Sequence, residues 1–132
     1  TRQVCGVWTL QDLLGHIADW ERIGVDGLRL MAVGQAPTVE YIEDIEAWNQ
    51  AHAQARHGQP WGVVWADLNA TRRELLEILT GMTAPLLHQP FLFPWGGEGS
   101  AHDWVSVFER HDRQHAADLQ AAGTFPSAEA KA

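Results

Sequence analysis

Residues 10–33 carry apolar side chains at helical spacing, and this pattern limits the chain to folds built from long packed helices. At 100° per residue, one face of that helix collects Leu10, Leu13, Leu14, Ile17, Trp20, Gly24, Leu28 and Met31. Thr9 is the expected N-cap with Asp12 as its capping-box partner, and Gly34 and Pro37 end the helix. The sequence therefore predicts one long helix with a broad face against a core.

Three more segments are predicted to be helical, at about 38–56, 61–79 and 101–122. The first of these is amphipathic and more exposed, while the last has Ser100 as its N-cap and Gly123 as its stop. Residues 82–100 are rich in proline and glycine and are predicted to form a long ordered loop without regular helix. The expected fold is an all-α helical bundle.

The composition is that of an ordinary folded protein, 45% hydrophobic and 20% charged over 132 residues. This length favours one domain, assigned to residues 1–126, with a disordered tail at 127–132. The net charge of −8 repels phosphates and anionic lipids, so we expect neither nucleic-acid nor membrane partners. Because there is no bilayer-spanning apolar run, no signal peptide and only one cysteine, Cys5, we expect a cytoplasmic protein. The missing initiator methionine leads us to expect further N-terminal sequence.

Two histidines lie on the inward face of the last predicted helix. His111 and His115 are four residues apart, about 40° around the helix axis, so both imidazoles can reach one ion. They share their face with Trp104, Phe108, Leu119 and Ala122. Burying two imidazoles in an apolar stripe without partners is costly, and a shared metal ion is the simplest remedy.

The other five histidines are less distinctive. His16 lies at the edge of the apolar face of the first helix, where it is either a third ligand or an ordinary core-edge histidine bonded to a neighbour. His52 and His57, about 140° apart, face different ways and are expected to be solvated. His88 in the loop and His102, opposite His111 on its helix, are treated as bystanders.

Three motifs resemble the DinB-like family of metalloproteins. Residues 8–21, WTLQDLLGHIADWE, are similar to the tryptophan and capping turn that lead into the helix with the family's first metal histidine. Residues 109–119, ERHDRQHAADL, are similar to its last-helix motif His-x-x-x-His, and residues 45–50, IEAWNQ, resemble its crossover. The resemblance implies an up-down-down-up four-helix bundle in which His16, His111 and His115 bind a divalent ion, zinc, nickel or iron.

One part of the family pattern is missing. The family has a long helix before the first motif, whereas only seven residues precede Trp8. The first bundle helix is therefore expected to be absent or truncated in this chain, or its flank to be covered by another chain. A homodimer is the expected assembly.

The resemblance also implies a function, because relatives include bacillithiol- or mycothiol-dependent S-transferases and maleylpyruvate isomerases. The leading hypothesis is thus a metal-dependent enzyme acting on a small molecule by thiol transfer, with a hydrolase also possible. The alternative is a non-catalytic bundle that binds a metal or small ligand as a stress or regulatory module. A structural dimer with an incidental metal is the third hypothesis.

Aromatic and acidic residues complete the sequence hypothesis. Trp20 and Trp104 are expected to wall the metal pocket and bind the substrate or cofactor, and Trp95 lies in a loop that could form its lid. Trp48 and Trp65 are expected to pack in the core. Asp12 and Asp118 are either carboxylates that hydrogen-bond to the ligand imidazoles and orient them, or plain surface carboxylates. No inward acidic residue near the metal is evident, so no general acid or base is assigned.

Overall fold

The computed structural model describes residues 3–37 and 39–123, and helices hold most of them. Three helices are long, one is shorter and one is a single turn: α1 (Leu10–Ala32), α2 (Ile45–Ala55), α3 (Trp61–Gly81), α4 (Ala84–Leu87) and α5 (Ala101–Ala121). Two small antiparallel hairpins accompany them, β1 (Gln3–Cys5) with β2 (Trp8–Thr9) and β3 (Phe91–Leu92) with β4 (Glu98–Gly99). The predicted all-α helical bundle is confirmed.

The two helices that carry the candidate ligands begin at the predicted caps. Thr9 Oγ1 accepts a hydrogen bond from the Asp12 backbone N–H, and the Asp12 carboxylate accepts one from the Thr9 N–H. Ser100 and Asp103 form the same reciprocal pair at the start of α5. Each capping box satisfies backbone donors that the first helical turn leaves free, which fixes where both helices start.

Helix α1 is the central helix of the bundle and packs chiefly against α3. Its inward residues Leu13, Val25 and Leu28 are completely buried. At Gly24, the backbone comes so close to the Trp104 indole that an added Cβ would lie 2.8 Å from Nε1. Glycine therefore lets the largest buried side chain of α5 reach the axis of α1.

The main core is aromatic and is built partly by the loop between α3 and α5. Phe91 and Phe93 from the β3 hairpin pack on Trp104, with ring centroids 5.7 and 5.5 Å from its own. Met82, at the end of α3, is buried in the same cluster. The proline-rich loop is thus a structural wall of the core, as its aromatic content indicates.

The second helix begins later than predicted. Asp44 is its N-cap, with Oδ1 accepting from the Ala47 N–H, and residues 39–44 lie outside the helix. The Ile42 N–H instead donates to the Pro94 carbonyl at 2.8 Å. This bond joins Ile42 to a loop more than fifty positions away and takes the place of a helical hydrogen bond. The helical spacing of the segment could not predict it.

Two further details differ from expectation. The loop at 82–100 contains the one-turn helix α4 and the hairpin β3–β4, whose turn uses positive φ at Gly96 and Gly97. Trp65 is 49% exposed and stacks on Trp61 at a centroid distance of 5.9 Å, so its assignment to the core is wrong. In the described ranges no helix precedes α1, and the predicted tail at 127–132 lies outside them.

None of the described helices combines the length and the low polarity that crossing a membrane demands.

Candidate metal centre

Three histidine side chains meet between α1 and α5. Nε2 of His16 lies 3.2 Å from Nε2 of His111, and Nε2 of His115 lies 2.8 Å from the same His111 atom. One ring nitrogen from each histidine lies within 4.8 Å of a ring nitrogen of each of the other two. The structure therefore brings together all three histidines that the sequence analysis selected.

Helical spacing on α5 and the packing of α1 against α5 together explain this convergence. His111 and His115 are one turn apart on α5, and their ring centroids are 4.3 Å apart. His16 is only 8% exposed on α1 and faces them, with ring centroids 5.1 and 5.3 Å away. Trp8, in the hairpin that precedes α1, packs on the His16 ring at 4.8 Å and holds it in place.

Hydrogen bonding among the rings does not account for this arrangement. His111 Nε2 lies close to both other rings, but a nitrogen of a neutral imidazole either donates one hydrogen bond or accepts one, so it cannot bond to His16 and His115 together. Tetrahedral coordination with metal–nitrogen bonds near 2.0–2.1 Å separates ligand nitrogens by roughly 3.3 Å. Of the three nitrogen pairs, one is near that value at 3.2 Å and one is shorter at 2.8 Å, and all three nitrogens lie within 4.8 Å of one another. The three histidines could therefore hold a divalent ion.

The surroundings favour the neutral form of the His16 and His111 rings. Burial, reinforced by repulsion from His111 and His115, lowers the pKa of His16 to about 3. Burial also lowers the pKa of His111, with a smaller contribution from His115 in the same direction and an opposing one from Asp112. Because only neutral imidazole can ligate a metal, a low pKa removes proton competition at neutral pH.

The two candidate orienting carboxylates behave differently. Asp118 Oδ2 lies 3.3 Å from Nδ1 of His115, the position of a carboxylate that orients a ligand imidazole, although the pair is not aligned as a hydrogen bond. Asp12 is instead engaged by Thr9, accepting from its N–H at 2.9 Å and from Oγ1 at 2.8 Å. Its role is therefore to cap α1.

A cavity of about 370 Å³ opens onto the three histidines. Trp20 and Trp95 both line it, so the loop between α3 and α5 does contribute a wall. Trp104 does not line it: at 1% exposure it lies one layer deeper, with its ring 5.0 Å from that of Trp95. Trp104 is placed to support the wall, and binding of a molecule by Trp20 stays a prediction.

Sequence reasoning missed five lining residues, of which Asn49 is the one polar side chain. The others are Trp8, Ile45, Val107 and Phe108. Asn49 Oδ1 accepts a hydrogen bond from Trp20 Nε1 at 2.8 Å. Ile45 and Asn49 are one turn apart at the start of α2, so a helical reading of residues 45–50 could have placed both on one face.

The remaining histidines do not join the centre. The His52 side chain is 43% exposed, stacks on Trp48 at 3.7 Å and lies 3.5 Å from Asp19, so it is only partly solvated. His57 is exposed. His88 and His102 are exposed near each other, with ring centroids 5.6 Å apart.

A family model described as the DinB superfamily matches residues 1–119. The chain belongs to the DinB superfamily. Comparison with curated proteins and with solved structures gave no significant match.

The DinB match reaches from the first residue into the last turn of α5 and includes all three histidines of the candidate centre. Membership of the DinB superfamily and the three-histidine group together agree with a metal-binding protein.

Proposed function

We propose that this protein is a metal-dependent enzyme that transfers a thiol to a small electrophilic molecule. The observation that supports it best is the convergence of the Nε2 atoms of His16, His111 and His115 at the floor of a cavity large enough for a small molecule. Zinc, nickel or iron are the proposed ions, because imidazole suits all three.

The ligand set defines the chemistry available. Three neutral imidazoles leave the charge of a bound divalent ion uncompensated, and such an ion supplies Lewis acidity that lowers the pKa of a thiol or water molecule at its open position. The protein residues hold the imidazoles, exclude bulk water through apolar walls and present the Asn49 amide. These roles need no further charged residue.

The cavity walls favour a thiol over an activated water. Among the described residues that line it, none is an aspartate, glutamate or lysine. Hydrolysis usually relies on such a group for proton transfer, whereas a thiol needs only to lose its proton before attack. In the proposed reaction the thiol releases that proton to solvent, sulfur forms a bond to carbon, and the leaving group departs with the electrons of the broken bond.

The same absence of lining acid or base groups also favours a second candidate. A bundle that binds a metal or a small ligand without turnover needs no proton-transfer residue, so a stress or regulatory binding module fits this cavity as well. Turnover separates the two candidates.

The test loads the full chain with zinc, nickel or ferrous iron and incubates it with bacillithiol, mycothiol or glutathione and monochlorobimane. A transferase gives a fluorescent thioether, with chloride and a proton released. His111→Ala should abolish this activity, and His102→Ala is the matched control because His102 is an exposed residue on the same helix. Activity equal in wild type and His111→Ala would remove the transferase proposal and leave the binding module.

The native ion requires separate identification. Elemental analysis of protein prepared without metal-affinity resin should find about one zinc, nickel or iron per chain. Loss of that metal in His111→Ala, but not in His102→Ala, would assign it to the three-histidine centre.

A further inference from the structure

The walls of the cavity over the three histidines carry no carboxylate, ammonium or guanidinium group. Apart from the three histidines, the described residues that line it include no acidic or basic side chain. A carboxylate or ammonium group buried there would have no counterion in the walls and would lose the solvation it has in water. The walls therefore select against molecules that carry charge away from the metal.

A single polar side chain stands among the apolar walls. Asn49 uses Oδ1 to accept from the Trp20 indole N–H, and since indole nitrogen can only donate, the amide orientation is fixed. Within the described residues no group accepts a hydrogen bond from Asn49 Nδ2. Its two N–H groups are thus available to an acceptor on a bound molecule.

The shape and size of the cavity favour flat molecules. The rings of Trp20 and Trp95 stand 6.1 Å apart at 53°, which gives the cavity two aromatic walls. Aromatic molecules pack on such walls edge-on or offset. A cavity of about 150 Å³ can hold benzene, so the volume of about 370 Å³ accommodates roughly two fused rings.

We propose that the electrophile bound at this site is an uncharged aromatic compound of one or two fused rings, with a hydrogen-bond acceptor that meets the Asn49 amide. That the molecule is an electrophile rests on the proposed function. That it is uncharged and aromatic rests on the cavity. Asn49 is then a specificity-determining residue.

The test measures binding to the full chain by equilibrium dialysis after chelation, without metal or thiol. Three probes are compared: 2-acetylnaphthalene, which is neutral with an acceptor, naphthalene, which lacks the acceptor, and 6-acetyl-2-naphthoate, which is charged. We expect the neutral ketone to bind at least about tenfold more tightly than the naphthoate, and about fivefold more tightly than naphthalene.

Asn49→Asp keeps an acceptor for Trp20 but removes both amide donors. The preference for the ketone over naphthalene should disappear in this variant and persist in Asn69→Asp, because Asn69 is an exposed residue of α3. Thermal unfolding of both variants checks that they fold. Equal or tighter binding of the naphthoate to wild type, no binding of any probe, or an unchanged preference in Asn49→Asp would each overturn the assignment.

The two proposals fail separately. A protein that prefers the neutral ketone but catalyses no thiol transfer contradicts only the proposed function. A protein that transfers thiols but prefers the charged probe contradicts only the substrate class.

Discussion

Nε2 of His16 lies 3.2 Å from Nε2 of His111, although 95 positions separate the two residues in the sequence. Trp8 packs on the His16 ring and holds it in place on α1. His111 lies one helical turn before His115 on α5, so their rings are close together. The contact joins the first and last helices at the floor of the cavity, so the candidate centre depends on how these helices pack.

Loss of one imidazole should abolish tight metal binding. His111 Nε2 is the atom closest to the Nε2 atoms of both other histidines. His111→Ala therefore removes the central ligand and leaves only two. We expect zinc affinity, measured by calorimetric titration, to fall by more than about 100-fold, beyond the loss typical for an orienting residue. His102→Ala should bind zinc like wild type; equal affinity in all three proteins would contradict the centre.

Acid should destabilise the metal-free protein through His16. Its pKa is about 3 in the folded state against an ordinary value of 6.5, so the unfolded chain binds the proton more readily. Stability from this group is complete above pH 6.5 and is lost as pH falls towards 3. Between pH 6.5 and 4.5 the loss should be about 2 kcal/mol.

Urea unfolding with a chelator present measures that loss. Wild type should lose about 2 kcal/mol more than His16→Leu over this pH interval. His57→Leu, which alters an exposed histidine, should lose as much as wild type. A His16→Leu protein with the same pH dependence as wild type would contradict the buried neutral state of His16.

Arg72 should contribute strongly to stability because it neutralises buried acid. It forms an ion pair with Glu21, which is 2% exposed, and another with Asp112 at 2.5 Å. Arg72→Met leaves both carboxylates without this cation and should reduce the free energy of unfolding by about 3 kcal/mol.

The control for Arg72 is an exposed ion pair on α5. Arg113 contacts Glu109 at 2.6 Å, but both side chains are more than half exposed, so Arg113→Met should cost less than about 1 kcal/mol in urea unfolding. Adding Glu21→Gln to Arg72→Met should recover part of the loss. Equal effects of the two arginine substitutions would show that burial of Glu21 does not matter.

Gly24→Ala should lower the stability of the protein. A Cβ there would meet the buried Trp104 ring at 2.8 Å, and overpacking of a filled core costs about 1–3 kcal/mol. Gly62 on α3 has no atom within 4 Å of the added Cβ, so Gly62→Ala should stabilise by up to about 1 kcal/mol. Thermal unfolding should show a lower melting temperature for the Gly24 variant and a higher one for Gly62→Ala. A higher melting temperature in both would contradict the close packing at Gly24.

The local sequence determined where α1 and α5 begin and brought together two of the three histidines of the candidate metal centre. Thr9 with Asp12 and Ser100 with Asp103 set where α1 and α5 begin, because capping bonds join residues three apart. The four-residue spacing of His111 and His115 placed their rings together for the same reason: the geometry of one helical turn is independent of the rest of the fold.

Other features depended on contacts between distant parts of the chain. The resemblance to a family, not spacing, selected His16 as the third ligand, and only the packing of α1 against α5 brings its ring to His111. The start of α2 depends on the bond between Ile42 and Pro94. The role of Asn49 depends on Trp20, 29 positions earlier. Helical periodicity describes single segments, whereas the relative placement of segments is decided by tertiary packing and by the hydrogen bonds that buried groups must find.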